Sequence, residues 1–210
     1  MRWLTGGGAV AALAVGGATV WEMGWRGLAL LLAFFVTSSV LTKSTRGRTA
    51  RQVFANGGVA ALAAALGSWP AFAGALAAAT SDTWATEIGS LSRTPPRLIT
   101  TRQMVPPGTS GGMTALGTGA GALAAAFIAA LAVVLVPRAA GPGSAEPIRF
   151  GAAVAAAGIG GMLIDSLIGA TLQGDERGVR LDRGFAWLDN DAVNLAATTA
   201  GAAIAWAVAR

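Results

Sequence analysis

The 210-residue chain contains no cysteine, no histidine and no tyrosine. Without cysteine there is no disulfide framework and no thiolate metal site, and without histidine there is no imidazole ligand, proton relay or Ser-His nucleophile. Zinc enzymes and cysteine- or serine-based triads are therefore excluded. Any metal must be held by oxygen, which points to Mg²⁺ or a similarly hard cation. Charge is scarce as well: charged residues make up 12% of the chain against 54% hydrophobic, with a mean hydropathy of +0.60. A soluble domain of this length would lack the charge to cover its surface. The 30 glycines follow no Gly-X-Y period, which excludes collagen, and the apolar content excludes a disordered chain. What remains is an all-α polytopic membrane protein, with residues 1–210 as a single transmembrane domain.

A membrane-spanning helix needs roughly 20 mostly apolar residues. Seven segments are expected to cross: 4–20, 27–42, 53–66, 71–91, 111–136, 150–172 and 192–209. They are rich in Ala and Gly, which let helix backbones approach closely in lipid. Such glycine-rich faces would serve a homodimer as well as packing within one chain. With seven spans, one side collects Arg2, Lys43, Arg46, Arg48, Arg51, Arg93, Arg97, Arg102, Arg177, Arg180 and Arg183, which is 11 of the 15 basic residues. Arg26, Arg138, Arg149 and Arg210 fall on the other side. The positive-inside rule then makes the N-terminus and the three basic loops cytoplasmic.

Against this apolar background a few polar residues stand out. Asp82 and Glu87 lie in Ser-Asp-Thr-Trp-Ala-Thr-Glu at 81–87, Asp165 follows Gly-Gly-Met-Leu-Ile, and Asp189 and Asp191 open the last segment in Asp-Asn-Asp-Ala-Val-Asn, which ends at Asn194. Acids at the edges or inside apolar helices are costly and mark functional sites. On a helix, Asp82 and Thr86 share one face, as do Thr83 and Glu87. Clustered carboxylates repel one another, and a divalent cation removes that conflict, so Asp82, Glu87, Asp165, Asp189 and Asp191 are the candidate metal ligands. Pairing with loop arginines is the competing role for Asp82 and Glu87, and helix capping competes for Asp189 and Asp191.

A second constellation is cationic. Lys43, Arg46 and Arg51, with Asn56 one turn further on, offer donors for phosphate oxygens. Positive-inside topology alone would also put basic residues there. Third comes Pro-Pro-Gly-Thr-Ser-Gly-Gly at 106–112, where Thr109, Ser110, Gly111 and Gly112 form a turn opening a helix, a place where backbone N–H groups can receive an anion. It is no P-loop, because the Gly-Lys-Ser/Thr ending is absent. Carboxylates for a cation, cations for phosphates and an aliphatic bundle for a lipid tail together suggest phosphoryl or nucleotidyl transfer to a lipid phosphate at the membrane face.

The run Ser-Asp-Thr-Trp-Ala-Thr-Glu-Ile-Gly at 81–89, Pro-Gly-Thr-Ser-Gly-Gly at 107–112, Asp-Ser-Leu-Ile-Gly-Ala at 165–170 and Asp-Asn-Asp-Ala-Val-Asn at 189–194 resemble the phytyl-phosphate kinase family, which includes the transmembrane protein nineteen relatives. The likeness covers the chain from about residue 42 onward, with the motifs in the family's order. More distantly it is similar to CTP-using membrane enzymes such as dolichol kinase and phosphatidate cytidylyltransferase. The resemblance implies that a prenyl monophosphate accepts the γ-phosphoryl of CTP, or of another nucleotide, with Mg²⁺ as cofactor. Asp82, Glu87 and Asp165 would be catalytic, while Lys43, Arg46, Arg51, Asn56, Thr109, Ser110, Gly111, Gly112 and Asn194 would bind nucleotide and phosphate.

A short N-terminal region without a plastid transit peptide leads to the expectation of a prokaryotic inner-membrane protein whose site faces the cytoplasm. Membrane lipids and no nucleic acid are the expected partners. Two rivals stand beside the kinase. A cytidylyltransferase would use the same residues but attack the α-phosphorus. An ion-coupled transporter or flippase would need an inverted repeat with broken helices near mid-depth. The sequence has no clear internal repeat, and its polar motifs cluster toward one side.

Overall fold

The computed structural model describes residues 3–43, 46–137, 147–173, 185 and 187–209. Its elements in chain order are α1 (Gly6–Leu41), α2 (Ala50–Ala65), α3 (Trp69–Gly89), β1 (Arg97–Leu98), β2 (Gly112–Met113), α4 (Ala115–Leu135), α5 (Pro147–Thr171) and α6 (Asn190–Val208). The described residues thus form six helices where seven spanning segments were expected. The first two expected segments are one element, α1, which is continuous except at Gly24, where φ is 63° and ψ is −159°. A straight helix of its 36 residues would reach about 54 Å, well beyond a bilayer core. Instead the Trp3 ring meets the Phe35 ring edge-on, 5.9 Å between centroids. The chain therefore doubles back at Gly24, and a positive φ is easy only for a residue without a Cβ.

Capping sets several boundaries. Thr49 accepts from Gln52 N (3.3 Å) while its own N–H reaches Gln52 Oε1 (3.0 Å), a reciprocal box that starts α2 three residues before the expected segment. Thr114 accepts from Gly117 N at 3.0 Å and starts α4 at Ala115, four residues later than expected. The intervening residues 112–113 pair antiparallel with 97–98, Arg97 opposite Met113. This small ladder is a departure from the all-α expectation, and two-residue strands are too short to show a period.

Helix α3 is the axis of the bundle: Phe72 to Ser81 are buried throughout. Around it, small residues hold the neighbours close. A Cβ at Gly74 would strike the Gly201 carbonyl and Ala205 of α6, and one at Gly161 of α5 would strike Ala78. Where helices lack a hydrophobic force between them, this close approach is what binds them.

Four long-range contacts define the two ends of the bundle. The parallel bridge between Leu4 and Arg48, the Lys43 contact to Ser90 and the Arg51 pair with Asp189 gather at one end the start and finish of α1, the start of α2, the finish of α3 and the start of α6. At the other end Arg149 Nε donates to the Val208 carbonyl (3.3 Å), joining the start of α5 to the finish of α6. Lys43, Arg46, Arg48, Arg51, Arg93, Arg97 and Arg102 belong to the first end, and Arg26 and Arg149 to the second. Arg2, Arg138, Arg177, Arg180, Arg183 and Arg210 lie outside the described residues. By length and composition, α1, α4 and α5 are apolar enough to cross a membrane.

Candidate functional site

Asp82 sits two turns before the end of α3, and Asp165 a similar distance before the end of α5. The two carboxylates are close enough to act on each other electrostatically across the helix crossing. The approach is made by small residues: a Cβ at Gly158 would meet Ser81 Oγ at 2.9 Å, and one at Gly121 of α4 would meet the Ser81 carbonyl at 3.0 Å. Asp165 Oδ2 and Ser81 Oγ are buried and have no hydrogen-bond partner. An orphaned carboxylate oxygen beside a second acid is an expensive arrangement in an apolar bundle. An oxygen-binding cation is the group whose chemistry fits this donor set.

Glu87, one and a half turns beyond Asp82, faces a different partner. Its carboxylate acts electrostatically on Arg48. Arg48 Nη1 and Nη2 lie 3.4 Å from Ser39 Oγ and Thr42 Oγ1, and the guanidinium stands 5.9 Å from the Phe35 ring centre. Burial pulls the Arg48 guanidinium below its ordinary value, and the Glu87 carboxylate opposes that shift. Lys43 Nζ reaches Ser90 Oγ at 3.5 Å, and Ser90 Oγ donates to the Glu87 carbonyl at 2.6 Å.

Asp189 and Asp191 form a third group. Asp189 caps α6, its Oδ1 accepting from Ala192 N (3.1 Å), and its Oδ2 is 2.6 Å from Arg51 Nη2. Asp191 Oδ2 is 3.5 Å from Arg51 Nε. Arg51 therefore has acidic partners at the start of α6. The capping role expected as a competitor for Asp189 is present. Asn56 donates to the Gln52 carbonyl one turn back (3.0 Å), and Asn194 supplies a carbonyl to Thr198, whose hydroxyl also reaches the Ala55 carbonyl (3.1 Å) and ties α6 to α2. Arg46 is exposed.

The five acids named from the sequence are thus divided among these groups. Among the described residues no group of three or more His, Cys, Asp or Glu side chains is gathered for a metal ion, so the five acids do not converge on one point.

The Gly-rich turn lies against the same part of α5. Thr109 Oγ1 and N both bond the Pro106 carbonyl, Gly112 N bonds the Thr109 carbonyl, and Gly111 has φ 75°. A Cβ at Gly111 would collide with the Ser166 carbonyl and with Ala170, and one at Gly169 would come within 3.1 Å of Gly111 N. The turn's backbone packs directly on α5, one residue from Asp165. Ser110 lies on this contact too, its Cβ 3.4 Å from the Gly169 position.

Sequence reasoning singled out neither Arg48, Ser81 nor Trp84. Arg48 was one cation in a basic run, and only the fold separates it from its neighbours. Trp84 stacks on Phe127 of α4 (5.9 Å, 23°) with its buried Nε1 lacking a partner. Its place between Asp82 and Glu87 was the available signal.

The profile of a family described as integral membrane protein DUF92 matches residues 1–202. An uncharacterized membrane protein of Methanocaldococcus jannaschii is 33% identical over 220 residues, 97% of this chain and 84% of that protein. Protein PGR of Arabidopsis thaliana is 34% identical over 189 residues, covering 71% of this chain and 65% of PGR. The chloroplastic protein VTE6 of the same plant is 37% identical over 125 residues, 60% of this chain but only 33% of VTE6. No solved structure matches.

Proposed function

This chain belongs to the integral membrane protein family DUF92, and from that premise we propose that it is a Mg²⁺-dependent kinase of a prenyl monophosphate. It would move the γ-phosphoryl of CTP onto a phytyl-phosphate-like lipid to give the prenyl diphosphate. The chain would cross a prokaryotic inner membrane seven times, α1 counting as two crossings about Gly24, with the site at the cytoplasmic face. One observation carries the reading: Asp82 lies near enough to Asp165 to act on it electrostatically between α3 and α5, Asp165 has an orphaned buried oxygen, and the Gly111 turn is docked on the next residues of α5. The resemblance of the 81–89, 107–112, 165–170 and 189–194 motifs to phytyl-phosphate kinases supplies the substrate class.

A phosphate monoester dianion is already a nucleophile, so the absence of histidine and cysteine is no obstacle. Its oxygen would form the new bond to the γ-phosphorus as the bond from that phosphorus to the β-phosphate oxygen breaks, with CDP leaving with the electron pair. Asp82 and Asp165 would hold Mg²⁺, which when bound neutralises charge on the nucleotide phosphates. The Thr109 and Gly112 N–H groups are used within the turn, and those of Ser110 and Gly111 would be offered beside them. Glu87 and Lys43 would serve the cationic side of the site, and Arg51 would act through Asp189 and Asp191 by fixing the start of α6.

The test incubates detergent-purified protein with geranylgeranyl or phytyl monophosphate, Mg²⁺ and CTP labelled separately at the α and γ positions. The γ label is expected in the lipid product, and its transfer is expected to fall at least ~10²-fold with Asp82→Asn. Label from the α position in the lipid would identify a cytidylyltransferase instead, and no transfer with any prenyl phosphate would sink the transferase reading.

A further inference from the structure

The loop between α1 and α2 carries Lys43, Arg46 and Arg48 before Arg51 opens α2, and Arg48 is the one whose backbone is tied to the start of α1. Arg51 is engaged by Asp189 and Asp191, and Lys43 and Arg46 are exposed. Arg48 is held through its backbone: its N–H bonds the Trp3 carbonyl (3.0 Å), and its carbonyl accepts from both Thr5 N (3.1 Å) and Thr5 Oγ1 (3.2 Å). The approach is so close that a Cβ on Gly8 would collide with the Arg48 carbonyl, and one on Gly47 with the Leu4 backbone. A loop cation anchored this firmly gives up little freedom when it binds a ligand.

The side chain has donors to spare. A guanidinium carries five N–H groups, and the two hydroxyl contacts to Ser39 and Thr42 are both long, at 3.4 Å. Around it, Thr42 adjoins Lys43, Lys43 reaches Ser90, and Ser90 bonds the Glu87 carbonyl, so two cations flank the last turn of α3. Behind it lies the Phe35 ring, and the same helix exposes Leu32, Val36 and Val40 on its outer surface. Arg48 thus stands where the apolar wall of α1 meets the acidic end of α3. A phosphate monoester whose tail runs along that wall would bring its oxygens to this guanidinium.

We infer that Arg48, with Lys43 beside it, forms the subsite that receives the phosphate of an apolar-chain monophosphate. The assignment rests on the lipid-phosphate reading proposed above and says which residue meets the acceptor, leaving the nucleotide to the other groups. Forked donors suit phosphate oxygens in a way an ammonium cannot copy. Replacing Arg48 by Lys should therefore recover only part of what Ala loses.

The test measures equilibrium binding of geranylgeranyl monophosphate, geranylgeraniol and CTP with Mg²⁺ to the full chain in detergent, for wild type, R48K, R48A, K43A and the control R93A. Thermal midpoints are recorded for each. Wild type should prefer the monophosphate to the alcohol. R48A should weaken monophosphate binding by roughly 10- to 100-fold, R48K and K43A by less, and none should change CTP binding more than R93A does. Should R48A fail to fold, R48K decides alone, and wild-type affinity in R48K overturns the inference. It is equally overturned if wild type does not distinguish monophosphate from alcohol, or if CTP affinity is what falls. Tight, Arg48-dependent binding without label transfer would keep the subsite and defeat the kinase; transfer with a KM for lipid unaffected by R48A would do the reverse.

Discussion

Arg51 Nη2 lies 2.6 Å from Asp189 Oδ2, joining the first turns of α2 and α6 across 138 positions of sequence. The same aspartate caps α6 through Ala192 N, so its two oxygens do two jobs. An exposed ion pair contributes about 0–1 kcal/mol and an Asp cap about 1 kcal/mol. Asp189→Ala should therefore lower stability by about 1–2 kcal/mol, and Arg51→Ala by no more than about 1 kcal/mol. Asp189→Asn keeps the cap and loses the pair, so it should behave like Arg51→Ala. Thermal unfolding of the three variants in detergent checks this; equal losses for Asp189→Ala and Asp189→Asn would mean that the cap contributes nothing.

The Asp82 and Asp165 pair leads to a prediction that needs no substrate. Two mutually repelling carboxylates stabilise the fold only if a cation joins them. Millimolar Mg²⁺ should raise the unfolding midpoint of wild type, and a chelator should reverse the rise. Asp82→Asn and Asp165→Asn should each unfold a few degrees higher than cation-free wild type and should respond little to Mg²⁺. A wild-type midpoint indifferent to Mg²⁺, Mn²⁺ and Ca²⁺ alike would rule out the metal role.

Close helix approach predicts unequal costs for the same chemical change. Gly74→Ala would drive a methyl into the Gly201 carbonyl and Ala205, backbone and packed side chain that cannot step aside. It should cost about 1–3 kcal/mol. Gly16→Ala meets nothing within 4 Å in the first half of α1 and should be neutral or stabilising, since Ala is a better helix former by about 1 kcal/mol. Unfolding midpoints that moved equally for both would contradict the packing of α3 against α6.

The doubling back of α1 at Gly24 is testable because the chain has no cysteine of its own. Single cysteines at Trp21→Cys, beside the bend, and Ser92→Cys, in the loop after α3, should label from opposite sides of sealed vesicles. Position 92 should react from the cytoplasmic side. Labelling of both from one side would remove the extra crossing.

Much of this was legible in the residues themselves. The scarcity of charge and the absence of histidine and cysteine narrowed the class to an apolar helical bundle with oxygen ligands at most. Asp82 and Asp165 stood out because an acid within an apolar run is costly wherever that run folds, and Thr49, Thr114 and Asp189 act within one turn of themselves. Such features depend on neighbours along the chain, so the sequence by itself determined them. Which acid meets which partner was a different kind of question. Asp82 finds Asp165 and not Glu87, Arg51 is taken by Asp189, and Arg48 is separated from Arg46 by a backbone bridge to Leu4. The joining of two expected segments into α1 turned on the φ of one glycine, and the short pairing of 97–98 with 112–113 carried no period. These were decided only by the tertiary structure, because charges and close-packed backbones act over a few ångströms in space, and that proximity is set by how the other five described helices pack around α3.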